Sequence, residues 1–211
     1  MSIVVEHDKR RKQILRKALD VFMEEGYENA TYQKIADRCR ITRTTLYLYF
    51  RNKQEIFNFS IKQFLAEVEQ DLVGVKEDTA LSSPDKIRKT LFLILSRMEE
   101  NRLLLSVVLN FLLSRGGEGG KTKNKTSPQE KQVPKAQVLV RRRTIRLRHI
   151  LSAMLIEGIR NGQLKKIDVG ATNDLLYSLL EAAIFHLTVL KLETTADLKK
   201  AAELLVKGIC C

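Results

Sequence analysis

Proline, the strongest breaker of helices, is almost missing from this chain. Only Pro84, Pro128 and Pro134 occur, so residues 1–83 and 135–211 run without one. Those stretches are rich in Leu, Ile, Ala, Lys and Glu, and they lack the alternating β-branched pattern of strands. The expected fold class is therefore all-α. With 211 residues and 44% hydrophobic content the chain can bury a sizeable core. The pattern divides into a small N-terminal three-helix domain, residues 1–53, and a larger helical domain, residues 54–211.

The first helix is expected over Lys9 to Glu25, where Ile14, Leu15, Ala18, Leu19, Phe22 and Met23 form two adjacent rows at a spacing of four. Gly26 ends it. Thr31 is placed to cap a second helix, Tyr32 to Cys39, with Ile35, Ala36 and Cys39 facing the first. A turn at Arg40 and Ile41 follows, then a third helix from a Thr42 cap through Phe50. A fourth helix starts at Lys53 and runs by pattern to Val73.

Two helices joined by a tight turn, the second ending in aromatics and a basic stop, describe a helix-turn-helix for duplex DNA. Arg43, Thr44 and Tyr47 share one arc of the third helix, while Leu46 and Phe50 share the arc that returns to the core. Arginine can donate twice to guanine, threonine can reach a base edge or a thymine methyl, and tyrosine can do either. Gln33, near the start of the second helix, can pair with adenine. Thr45 and Tyr49 on the neighbouring arc can reach phosphates, as can Thr31, Tyr32 and Thr42 beside the same groove. Lys53 sits where free helix amides already favour anions.

The run IADRCRITRTTLYLYFRNKQEIF, with Gly26, Ala30-Thr31, Ile35-Ala36, Ile41-Thr42, Thr45-Leu46-Tyr47, Tyr49-Phe50, Asn52-Lys53 and Glu55 at their spacings, resembles the tetracycline-repressor (TetR) family of bacterial transcription regulators. The resemblance covers about the first 60 residues. It implies that Gln33, Arg43, Thr44 and Tyr47 approach bases, and that Tyr32, Thr45, Tyr49 and Lys53 hold phosphates. One departure stands out: the family usually has glycine where this chain has Arg40, and a left-handed backbone there would cost an arginine ~1 kcal/mol.

Past residue 60 the likeness is one of architecture. Ser83-Pro84-Asp85 begins a helix that continues to about Arg102, and Leu103 to Ser114 forms another. Residues 116–134 carry one aliphatic side chain, Val133, and are expected to be a flexible basic loop. Helices over Lys135 to Asn161, Ala171 to Leu192 and Ala196 to Ile209 complete the chain. The helix over residues 172–192 is apolar on nearly every face, so a second subunit is its natural cover, and with residues 196–209 it would build a homodimer. Such a dimer reads a palindromic operator.

A small-molecule effector pocket is expected among residues 85–160 and their neighbours, with Met98, Phe111, Met154, Tyr177, Phe185 and His186 as its candidate lining. The expected activity is that of a repressor released by this effector. The alternative keeps the DNA domain and gives the C-terminal domain a protein partner. An enzyme is the weakest reading, because no phosphate loop, metal spacing or nucleophile with a nearby base is present. No cofactor and no metal are expected.

The net charge of +12 is uneven. Residues 1–53 hold 12 basic and 7 acidic side chains, whereas residues 115–148 hold 11 and 2. The larger excess thus lies outside the DNA reader. Arg141, Arg142, Arg143, Arg146 and Arg148 within it are compatible with an anionic effector, a nonspecific DNA arm or a solvated face. The start, MSIVVEHDKRRK, is no secretory signal, and the apolar windows 103–113 and 175–192 read as buried helices, so a cytoplasmic protein with no membrane partner is expected. Cys39 is expected in the core, and Cys210 and Cys211 in a frayed tail.

Overall fold

A computed structural model describes residues 2–116 and 133–211, with side chains described for residues 6–113, 141–142 and 144–211. The basic loop expected over residues 116–134 lies, but for its ends, outside the described residues. Nine helices are formed among those described: α1 (Ser2–Glu25), α2 (Tyr32–Cys39), α3 (Arg43–Tyr47), α4 (Lys53–Glu77), α5 (Ser83–Glu100), α6 (Arg102–Gly116), α7 (Val133–Arg160), α8 (Val169–Thr188) and α9 (Ala196–Ile209). Among the described residues the fold is all-α, as its composition leads one to expect, with an isolated β-bridge between Leu164 and Cys210.

The residues group into two compact units, Met1–Gln63 with Leu103–Gln132, and Phe64–Arg102 with Val133–Cys211. The boundary falls inside α4 and assigns α6 to the first unit, unlike a division at residue 53. The reason is aromatic: the Phe111 ring lies 4.9 Å from that of Tyr27 and 5.1 Å from that of Phe57.

In the first unit Ile14, Ala18 and Phe22 of α1 are buried against Ile35, Ala36 and Cys39 of α2, while Leu46, Phe50, Ile56 and Phe57 close the core. Each large side chain buried in this way contributes ~1.5–3 kcal/mol. The Arg11 guanidinium lies over the rings of Phe50 and Phe59, 4.9 and 4.0 Å from their centroids. Gly26 ends α1 in the left-handed region, φ 76°, where only glycine escapes the Cβ clash.

In the second unit α5 is the central helix, packing on α7, α8 and α9. Its Ile87, Leu91, Ile94 and Leu95 meet Leu155 of α7, Leu176 and Leu180 of α8, and Ala202 and Val206 of α9. Ser82 caps α5 by accepting from the Asp85 amide, and Asp168 caps α8 by accepting from the Ala171 amide. Helix α9 is capped from a distance. The Glu99 carboxylate of α5 accepts from the backbone amide of Thr195, its hydroxyl (2.6 Å) and the Lys199 ammonium (3.2 Å).

The end of α8 and the C-terminal tail differ from expectation. Helix α8 stops at Thr188, not Leu192, because Lys191 turns left-handed (φ 54°) and the amides of Leu190 and Leu192 reach back to Phe185 and His186. The C-terminal tail is tied down, not frayed: Lys165 donates to the Ile209 carbonyl at 2.9 Å, the Cys211 amide to Gln163 at 3.4 Å, and the Cys210 thiol to Val206 at 3.1 Å. Among the described residues no helix is long and apolar enough to cross a membrane.

Candidate nucleic-acid interface

The turn between α2 and α3 sets the geometry. The Ile41 amide bonds to the Ala36 carbonyl at 3.1 Å and that of Arg40 to Asp37 at 2.9 Å, the double closure of a Schellman motif. Arg40 holds the pivot at φ 55°, ψ 46°, a left-handed conformation that costs an L-residue ~1–2 kcal/mol. Thr42 then opens α3, its Oγ1 accepting from the Thr45 amide at 3.1 Å.

Helix α3 is shorter than periodicity predicts. It ends at Tyr47 because the amides of Leu48 and Tyr49 bond three residues back, to Thr45 and Leu46, tightening the chain so that Phe50 enters the core. The five-residue helix buries Leu46 completely and presents Arg43, Thr44 and Tyr47 to solvent. Arg43 and Tyr47 are already paired, with Nη2 donating to the phenol oxygen at 3.4 Å.

The remaining expected contacts sort by whether their hydrogens are available. Thr42 and Thr45 share one hydroxyl contact at 2.9 Å; each hydroxyl carries one hydrogen, so the pair keeps one to donate outward. Thr31 is exposed and caps α2, accepting from Lys34 at 3.2 Å. Gln33 is exposed with its amide on Asp37 at 2.7 Å, which a base edge would have to displace. Tyr49 is half-buried, stacked on the His7 ring of α1 at 4.6 Å.

Tyr32 and Lys53 are placed differently from a simple phosphate contact. The Tyr32 hydroxyl donates to the Phe50 carbonyl, and its ring lies 4.7 Å from that of Tyr47. Burial, with the nearby Tyr47 and Glu55 adding and Arg43 opposing, pushes its phenol up to about 12. The Lys53 ammonium donates to the carbonyls of Tyr27, Glu28 and Ala30 at 2.8, 2.8 and 2.9 Å. All three of its hydrogens are thereby engaged. Burial lowers its pKa and the Glu28 charge opposes the shift. Tyr32 thus braces the end of the reading helix, and Lys53 ties down the connection between α1 and α2. Sequence spacing could not show this, since their partners lie 18 to 26 residues away.

Of the six side chains expected to line an effector pocket, Met98, Met154 and Tyr177 share the core cluster of the second unit. Phe111 belongs to the aromatic cluster of the first unit. In the second unit Met154 is core, its sulfur 3.6 Å from the Thr90 hydroxyl, and Tyr177 bonds Thr144 at 3.2 Å beneath the Arg148 guanidinium. Met98 and His186 are half-buried and Phe185 is exposed. A crevice of ≈ 10 Å³, room for one water, lies among Leu65, Glu69, Arg146, Leu147 and Ile150. Of the arginine cluster, Arg146 pairs with Glu69 at 2.7 Å and Arg148 with Asp174; Arg141 and Arg142 are exposed. Among the described residues no three His, Cys, Asp or Glu side chains group as a metal site.

The family model of bacterial regulatory proteins of the tetR family matches residues 14–58, the segment that builds this interface. Over that segment the chain matches the TetR family. Over 208 residues the chain is 24% identical to the fatty acid metabolism regulator protein of Bacillus subtilis (strain 168), covering 93% of this chain and 94% of that one. Its fold is similar to the TetR-family transcriptional regulator PfmR from Thermus thermophilus, with TM-score 0.71, 19% identity, and 92% and 97% of the two chains covered. It is also similar to the fatty acid degradation regulator of Bacillus halodurans, with TM-score 0.62, 19% identity, and 94% and 95% covered. The two structures speak for the fold alone. The match supports DNA binding through the helix-turn-helix and a part in transcription regulation.

Proposed function

We propose that the chain is a cytosolic homodimeric repressor, bound to a palindromic operator and released by a small molecule, with a fatty acid or an activated form of one as the effector. The carrying observation is the α3 face: Arg43, Thr44 and Tyr47 are exposed together on a helix whose opposite side, Leu46, is wholly buried. The expected base contacts are Gln33, Arg43, Thr44 and Tyr47. Thr31, Thr42, Thr45 and Tyr49 have the exposure or the spare hydrogen to serve phosphates.

Dimerisation is supported by the apolar side chains left open on α8, on the turn after it and on α9. Leu175, Phe185, Leu190 and Leu204 are each more than half exposed, more apolar surface than helices facing water alone usually carry. A two-fold dimer sets its reading helices about 34–36 Å apart on one face of B-DNA. The effector class rests on the likeness over nearly the whole chain to the fatty acid metabolism regulator protein of Bacillus subtilis. A hundredfold loss of operator affinity requires ~2.7 kcal/mol of preferential binding to the released state.

Selection of bound sequences from random duplexes tests the reading, followed by titration of the complex with free fatty acids and their thioesters under fluorescence anisotropy. A palindrome should emerge and be released. The double variant Arg43→Ala, Tyr47→Ala should lose the sequence preference while remaining folded. Enrichment of no sequence at low salt refutes the DNA reading, and retained preference in the variant refutes the assigned face.

A further inference from the structure

Leu48 is the most exposed large apolar side chain among those described, at 74%. It caps the C-terminal end of α3 in a helical conformation, φ −68°, ψ −22°, its amide bonded three residues back to Thr45, so a helical count of about 100–120° per residue extends to it. Counted from the buried Leu46, the residues Arg43, Tyr47, Thr44 and Leu48 follow one another round the helix at about 60°, 100°, 160° and 200–240°. Leu48 is thus the continuation of the reading arc. Together with Thr44 it points most directly away from the core.

An isolated exposed leucine is ordinary on a protein surface. This one is set apart by its neighbours, a hydroxyl, a phenol and a guanidinium that are all able to hydrogen-bond base edges. An isobutyl group in that row can form no hydrogen bond and gains nothing from a phosphate. The one apolar feature of the major-groove edge of a base pair is the thymine C5-methyl.

We infer that Leu48 is a specificity-determining residue that packs on a thymine methyl in each half-site, so that the operator carries an A·T pair where the Thr44–Leu48 row meets the groove floor. This rests on the DNA-reading assignment of α3 above.

The test uses the full-length protein and its selected duplex, with each thymine of the half-site replaced singly by uracil. The exchange deletes the methyl and leaves every hydrogen bond intact. One such replacement should weaken wild-type binding about fourfold, the factor supplied by burying a single methyl. Leu48→Ala should bind the thymine duplex more weakly by a similar factor and be indifferent to uracil at that position. Thermal unfolding of Leu48→Ala should match wild type, since the side chain is largely outside the core.

A wild-type protein insensitive to every single uracil replacement overturns the inference and leaves the operator reading standing. So does a Leu48→Ala variant that keeps the full uracil penalty, which would assign the methyl to Thr44 or Tyr47. Failure to enrich any duplex overturns both.

Discussion

Arg40→Gly should make the protein more stable, although it deletes a whole side chain. The Schellman bonds at the α2–α3 turn use only backbone amides and carbonyls of residues 36, 37, 40 and 41, and glycine keeps all of them. What changes is the left-handed backbone at φ 55°, where an L-residue's Cβ costs ~1–2 kcal/mol. Glycine removes that cost but adds backbone entropy to the unfolded chain, ~0.5–1 kcal/mol. The net gain is ~0.5–1 kcal/mol, or ~1–4 °C in Tm for a chain of this size. Circular dichroism melts and urea midpoints at unchanged m-value measure it. Arg40→Ala is the control. It removes the same charge from the mixed-charge notch that Arg40 lines with Lys17, Asp20, Glu25, Lys34, Asp37 and Arg38, but it retains the Cβ. If alanine stabilises as much as glycine, the gain is electrostatic and the backbone argument is refuted. A destabilised glycine variant refutes it as well.

Lys53→Met removes the ammonium that holds the carbonyls of Tyr27, Glu28 and Ala30. It should cost ~1–3 kcal/mol in urea unfolding and speed amide exchange over residues 27–31, whereas a lysine that serves only DNA would leave both unchanged. Burial alone would raise the Glu99 carboxyl, but the Thr195 hydroxyl and amide and the Lys199 ammonium outweigh it and hold it below its usual value. A depressed folded-state pKa contributes stability above the unfolded value, about 4.3, and loses it as pH falls through the folded value. The Tm difference between wild type and Glu99→Gln should therefore shrink on acidification below that point; a constant difference would contradict the assignment. Gly158→Ala should lower Tm despite alanine's better helix propensity, because its Cβ would sit 2.6 Å from Leu164 Cδ1 and 3.0 Å from Ser83 Cβ. Overpacking of this kind costs ~1–3 kcal/mol.

Hydrophobic spacing revealed faces and ends, but not partners. The bounds of α2 and α9 were readable because Thr31, Arg40 and the run from Ala196 supply start and stop signals along the chain itself. The first turns of α1 were not, since Glu6, His7 and Asp8 are exposed there and show no apolar period. Helix α3 looked longer because Leu46 and Phe50 are four apart, a spacing that a tight turn after Tyr47 satisfies equally well. The allegiance of α6 depends on Phe111 meeting Tyr27 and Phe57, contacts across more than fifty residues that no local pattern reports. At the interface, Arg43, Thr44 and Tyr47 were legible from their arc. The inward bonds of Tyr32 and Lys53 were not, because a tyrosine or lysine beside a groove looks the same whether its hydrogens face outward or back.

Five residues of helix are too few to fix their own direction, so α3 is aimed by what lies beneath it: Leu46, Phe50 and the Tyr32 hydroxyl. Of the α3 side chains that would choose a nucleotide, Tyr47 also packs on the scaffold, through its ring against Tyr32. Recognition and architecture are thus nearly separable in this domain. Exchanges at positions 43, 44 and 48 could retarget descendants of this chain to new promoters while the scaffold melts at the same temperature.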